Sequence, residues 1–138
     1  MTAPQPELRL LAIDDPAEAS PPLTEEWTDV CPLEQIAPDT GVCALFGRLQ
    51  IAVVRVGKGE EVHALDNFDP FSKASVLSRG IVGDRGGVPT IASPVYKQRF
   101  DLRSGQCLDD PKVRVAVFDA RVRHGLVQVL VPSAPEDS

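Results

Sequence analysis

The run Val42-Cys43-Ala44-Leu45-Phe46-Gly47-Arg48-Leu49-Gln50-Ile51-Ala52-Val53-Val54-Arg55-Val56 reads as two strands around a two-residue turn. β-Branched and aromatic residues suit a pleated, half-buried surface, and Gly47-Arg48 brings the glycine that a tight hairpin turn needs. Gly57-Lys58-Gly59-Glu60 follows as a second turn and leads into Glu61 to Leu65. There Val62, Ala64 and Asp66 fall on one face, His63 and Leu65 on the other. Further out, Arg114, Arg121 and Arg123 alternate with Val113, Val115, Val117 and Val122; His124-Gly125 then turns the chain into Leu126 to Val131, which closes a hairpin. Asp109-Asp110-Pro111 is another turn, and Arg103-Ser104-Gly105-Gln106 separates Arg99 to Leu102 from Cys107-Leu108. Pro32 and Pro38 leave room for one helical turn, at Leu33 to Ile36. Many short strands without interleaved helices predict an all-β domain, an antiparallel sandwich or barrel.

With 138 residues, 43% of them apolar, the chain is expected to build one compact domain. No apolar run approaches the roughly 20 residues of a bilayer helix. Residues 1 to 22 hold five of the 13 prolines and a single base, Arg9, which is not the pattern of a secretory leader, so a cytoplasmic protein is expected. Their proline and acid content predicts a mobile arm over residues 1 to 23 and a similar tail from 132 to 138, with the domain at 24 to 131. The net charge of −6 sits in the ends: residues 1 to 26 carry −5, Glu136 and Asp137 carry −2, and residues 27 to 131 sum to +1. Nothing in the globular part attracts a polyanion, so no nucleic-acid partner is expected. Cys31, Cys43 and Cys107 are an odd count without CxxC spacing, which favours reduced thiols over a disulfide framework or zinc ribbon.

Candidate chemistry is sparse. His63, Asp66 and Asp69 stand three apart, a period that does not bring them to one face of a strand, so solvent-facing polar residues are expected rather than metal ligands. Gly80, Gly83, Gly86 and Gly87 around Asp84-Arg85 match neither GxGxxG nor a Walker motif, and a loop with positive φ explains them better. Cys107 has only His63 and His124 as bases and no activating context.

Two other runs are more specific. Ala64-Leu65-Asp66-Asn67-Phe68-Asp69-Pro70-Phe71 and Ser93-Pro94-Val95-Tyr96-Lys97-Gln98-Arg99-Phe100-Asp101-Leu102-Arg103-Ser104-Gly105 resemble the two ligand boxes of Rieske iron-sulfur domains. In that family a Cys-Pro-His loop and a Cys-Pro-x-His loop hold one [2Fe-2S] cluster, thiolates on one iron and imidazoles on the other. Pro70, Pro94, Phe100-Asp101-Leu102 and Gly105 stand where that frame places them. On it, the cysteine positions are Asp69 and Ser93, and the histidine positions Phe71 and Tyr96. The resemblance thus implies a Rieske-like fold whose four ligand positions are vacated, because iron there needs soft thiolates and neutral imidazoles. Phe71 and Tyr96 are expected to pack into the space, with Tyr96 bonded to Asp69 or to backbone.

Asp66 to Phe71, Val76 to Asp84 and Ala92 to Gln98 also look like the small subunit of assimilatory NAD(P)H-dependent nitrite reductase, over about residues 26 to 131. That likeness implies a chain with no cofactor, catalytic residue or metal of its own. It implies a large-subunit partner carrying FAD, a [4Fe-4S] cluster and sirohaem, which reduces nitrite to ammonia in nitrate assimilation. Lys73, Arg79, Arg85 and Lys97 are then candidates for docking that partner electrostatically. Two other readings stand beside it: a Rieske-type ferredoxin with unorthodox ligands, and a stand-alone binding module on the same fold.

Overall fold

In the computed structural model, which describes residues 24–133, the strands are short and follow one another with little between them. In chain order they are β1 (Thr24–Pro32), β2 (Thr40–Phe46), β3 (Leu49–Val56), β4 (Glu61–Asp66), β5 (Phe68–Asp69) and β6 (Ala74–Ser75). Then come β7 (Ile81–Arg85), β8 (Val88–Ala92), β9 (Arg99–Asp101), β10 (Val117–Phe118), β11 (Ala120–Arg123) and β12 (Leu126–Ser133). They form sheets of order β1-β12-β11, β10-β4-β3-β2, β5-β6 and β7-β8-β9. The domain is all-β, as expected, and its registered pairs are antiparallel. Among the described residues no helix is long and apolar enough to cross a membrane.

β3 shows why the fold forms. Ile51, Ala52, Val53 and Val54 are all wholly buried, so this strand is covered on both faces. Alternation splits them: Ile51 and Val53 enter one core cluster with Ile36, Val62, Ala64, Val127 and Val129, whereas Ala52 and Val54 enter another with Leu65, Leu77, Ile91, Phe100, Leu102, Cys107 and Val115. β4 repeats the division through Val62 and Ala64 against Leu65. Each buried Val, Ile or Leu contributes about 1.5–3 kcal/mol by leaving water, so the β3–β4 pair is where the two cores are built from one short length of chain.

Both predicted hairpin turns form, at Gly47-Arg48 between β2 and β3 and at His124-Gly125 between β11 and β12. The expected helical turn is a 3-10 turn at Leu33–Gln35. Four details differ from expectation. The glycine-rich stretch is a hairpin, β7 with β8, turning at Gly86 and Gly87 with φ of 59° and 91°; Gly80 has an ordinary φ of −74°. A second 3-10 turn occupies Leu77–Arg79. The valine-arginine run is divided, because Val117 pairs with Leu65 of β4 and only Ala120–Arg123 reaches β12. Finally, β12 continues to Ser133. Glu26–Val131 is one compact unit; the other grouping, Met1–Glu25 with Pro132–Ser138, falls mostly outside the described residues, as do the expected arm and most of the expected tail.

Candidate functional site

The two specific runs fold into a matched pair of loops. The first joins β5 to β6 through residues 70–73, and the second joins β8 to β9 through residues 93–98. Each opens on an oxygen-bearing side chain followed by proline. Asp69 Oδ1 accepts the Phe71 N–H at 2.9 Å, and Ser93 Oγ accepts the Val95 N–H at 3.2 Å. These side-chain turns replace a backbone turn where proline has fixed φ. Each loop ends alike as well. Lys73 and Lys97, each four residues after the opening residue, hold φ of 61° and 66°. Lysine is uncommon in this left-handed region, which costs it about 1–2 kcal/mol.

One bond joins the loops. Ser93 Oγ donates to Asp69 Oδ2 at 2.5 Å, and Ser72 Oγ donates to the same oxygen at 2.8 Å. Asp69 is wholly buried and Ser93 nearly so. Burial is the largest single influence on the Asp69 carboxyl and pushes its pKa up. The bonds from Ser93, Phe71 and Ser72 together outweigh it and hold the group below its ordinary value. Beneath the first loop, Asn67 donates to Ser75 O at 3.1 Å and Gln50 Oε1 at 3.3 Å, and accepts the Ser78 N–H at 2.7 Å. It ties the loop base to β3 and to the second 3-10 turn.

The residues expected at this site divide. Asp69 and Ser93 meet. Phe71 packs inward against Phe100, ring centroids 6.2 Å apart. Tyr96 does neither of the things expected of it: it is 61% exposed, and the Asp69 carboxylate takes its bonds from Ser72, Ser93 and the Phe71 N–H. Among the cations, Lys73 and Lys97 end the loops, and Arg79 closes the 3-10 turn before Ile81, which pairs with Ala92 beside Ser93. Arg85 is elsewhere. It pairs with Val88 at the far turn of the β7–β8 hairpin, about 13 Å along the strand from Ile81, and its charge acts on Asp109, whose carboxyl is held low chiefly by Arg99. Asn67 and Ser72 were missed, since no local pattern marks them as partners of this site.

The other candidates are placed as follows. His63 Nε2 lies 2.7 Å from Glu61 Oε2, and Asp66 accepts the Phe68 N–H at 3.0 Å. His124 sits in the β11–β12 turn and Cys107 in the core. All three cysteines are free, and burial pushes the Cys31 and Cys43 thiols up.

A profile described as the Rieske-like [2Fe-2S] domain matches residues 26–130. The chain belongs to this family. Within the Rieske-like family it is 44% identical over 104 residues to the nitrite reductase (NADH) small subunit of Escherichia coli K12, a match covering 75% of this chain and 96% of the relative. The solution structure of the nitrite reductase NAD(P)H small subunit from Erwinia carotovora is 47% identical with a TM-score of 0.66, over 81% of this chain and 88% of that one. A nitrite reductase NAD(P)H large subunit of Klebsiella oxytoca is 42% identical over 126 residues, 91% of this chain but 12% of the relative.

The donors at the loops of this Rieske-like domain do not fit the cluster in the family's description. Two irons of that kind need thiolates and imidazoles. Here the matching side chains are a hydrocarbon ring, an exposed phenol, and a carboxylate and hydroxyl already bonded to each other.

Proposed function

We propose that this chain is the small subunit of an NAD(P)H-dependent nitrite reductase, and that it acts by contact with the large subunit while holding no redox group of its own. Likeness to the Escherichia coli small subunit across nearly that protein's whole length carries the reading. The Klebsiella oxytoca relative supports it, because there the matching segment is part of a large-subunit chain. A domain that is separate in one organism and joined to its partner in another fits a role performed at that partner's surface. In this reading the large subunit's FAD, [4Fe-4S] cluster and sirohaem carry electrons from NAD(P)H to nitrite in the cytoplasm, yielding ammonia, with no nucleic acid or membrane involved. The ferredoxin alternative requires iron to be held by Asp69, Phe71, Ser93 and Tyr96, which their chemistry does not allow.

The test is reconstitution. Nitrite-dependent NAD(P)H oxidation by the large subunit, at fixed cofactor loading, is expected to rise severalfold when this chain is added, and this chain alone is expected to oxidise nothing. Equal activity with and without it overturns the proposal and leaves the stand-alone module.

A further inference from the structure

We infer that the two loops form one preformed interaction surface for an acidic, partly apolar face of the large subunit, with Lys73 and Lys97 as its charged rim and Val95 and Tyr96 as its apolar centre. This rests on the association proposed above.

The backbone gives the first reason. Among the described residues, the non-glycine residues with positive φ are Asp39, Lys73, Lys97 and His124. Short polar residues enter that region readily; lysine does not. Glycine would relieve the strain at both loop ends, yet both carry lysine at the same offset from the paired Asp69 and Ser93. Strain of this kind gathers where a side chain serves a function. Neither lysine is spent on folding: among the described residues the ion pairs are His63–Glu61 and Arg99–Asp109.

Charge gives the second. Across residues 68–80 and 93–98 the exposed ionisable groups of opposite sign to the chain are Lys73, Arg79 and Lys97, and the one acid, Asp69, is buried. This is a cationic patch on a chain of net charge −6, so its complement is acidic. Exposed apolar surface gives the third. Val95 is 46% and Tyr96 61% exposed, next to Lys97 in the second loop rather than in the core. A tyrosine ring with a polar tip is a frequent anchor of protein interfaces. The Asp69–Ser93 bond holds the loops at fixed spacing, which lowers the entropy lost on docking. The large subunit is the occupant because the Klebsiella oxytoca relative joins this domain to it in one chain.

The experiment measures binding of the full chain to the purified large subunit at low and high ionic strength. Wild-type binding is expected to weaken with salt. The pair Lys73→Gly with Lys97→Gly is expected to weaken it about tenfold and flatten the salt dependence, with a melting temperature unchanged or raised; Tyr96→Ala is expected to cost about tenfold. Arg85→Glu, at the far turn, is expected to leave affinity unchanged. If the glycine pair unfolds, Lys73→Gln with Lys97→Gln carries the same test. Unchanged affinity in the lysine and tyrosine variants overturns this surface alone, whereas a wild-type chain that does not bind overturns the association itself.

Discussion

Ser93 reaches Asp69 across 24 residues of sequence, its hydroxyl donating at 2.5 Å to a carboxylate that solvent does not touch. The two residues open two loops that otherwise belong to different sheets, one ending β5 and the other leaving β8. A buried carboxylate in apolar surroundings would take up a proton. Here three donors, from Ser93, Ser72 and the Phe71 backbone, favour the ionised form enough to overcome burial. The pair is therefore a charged, hydrogen-bonded clasp between the loops.

Breaking the clasp should cost more than an ordinary surface bond. Hydrogen bonds to a charged group contribute about 1.5–3 kcal/mol, and a buried partner left unbonded adds a penalty. Asp69→Asn and Ser93→Ala are each expected to lower stability by about 2 kcal/mol in urea denaturation. The double variant should cost clearly less than both losses added, because each single change already breaks the shared bond. Losses below about 0.5 kcal/mol, or full additivity, would show that the bond does not hold the loops together.

Acid should act on the same clasp. The folded-state pKa of Asp69 is depressed, so its contribution is present above the unfolded value of about 4 and is lost as pH falls through the lower folded value. Asp109 shifts in the same direction through Arg99, but that pair is exposed and solvent screens it. The stability gap between wild type and Asp69→Asn is expected to stay constant from about pH 5 to 7 and to narrow below about pH 4. Urea midpoints across that range measure it, and a gap that widens in acid would mean the carboxyl is neutral in the folded chain.

Gly105 separates two costs that sequence alone does not distinguish. Its φ is +81°, and a Cβ there would collide with the Val115 carbonyl oxygen and lie 3.0 Å from Val117 Cγ1. The Val115 N–H donates to Gly105 O at 2.9 Å, so the neighbouring segment cannot withdraw without losing that bond. Gly105→Ala is expected to cost about 2–4 kcal/mol. Gly47→Ala, at φ +65° in open space, should cost about 1 kcal/mol from backbone strain alone. Thermal unfolding of the two variants compares them directly; equal losses would remove the collision with Val115 as a cause.

What the sequence showed depended on range. Turn chemistry is local, so Gly47-Arg48 and His124-Gly125 mark their hairpins, and the apolar run of β3 marks a strand. The β7–β8 hairpin was harder, because Gly80 and Gly83 make the approach to its Gly86-Gly87 turn resemble a loop. That Val82 and Ile91 are strand partners is visible only once the turn is accepted. The loop frame was legible from Asp69-Pro70 and Ser93-Pro94. Their meeting follows from that frame, which sets both at thiolate positions on one iron, and from no periodicity; the hydrogen bond between them was not legible. Tyr96 is exposed, in a loop bounded by the turn that Ser93 Oγ makes and by the left-handed Lys97, which its hydrophobic ring does not announce. Arg85 stands apart from the two loops in the fold for a plain geometric reason: the length of β7 separates it from Ile81, which pairs beside Ser93.

Iron content is the most direct measure of the loop chemistry. Each [2Fe-2S] cluster of the Rieske type takes two thiolates and two imidazoles, and the resemblance of the two loops assigns those positions to Asp69, Ser93, Phe71 and Tyr96. Phe71 has no donor atom and packs against Phe100 with tilted rings. Asp69 and Ser93 satisfy one another, so a metal would have to displace a buried bond to reach either. Hard oxygen donors also suit iron-sulfur clusters poorly. The chain, expressed with iron and sulfide available and purified anaerobically, is therefore expected to be colourless, with iron and acid-labile sulfide near zero. About two irons per chain, with the visible absorption of a cluster, would restore the ferredoxin reading and require the Asp69–Ser93 bond to open in the loaded protein.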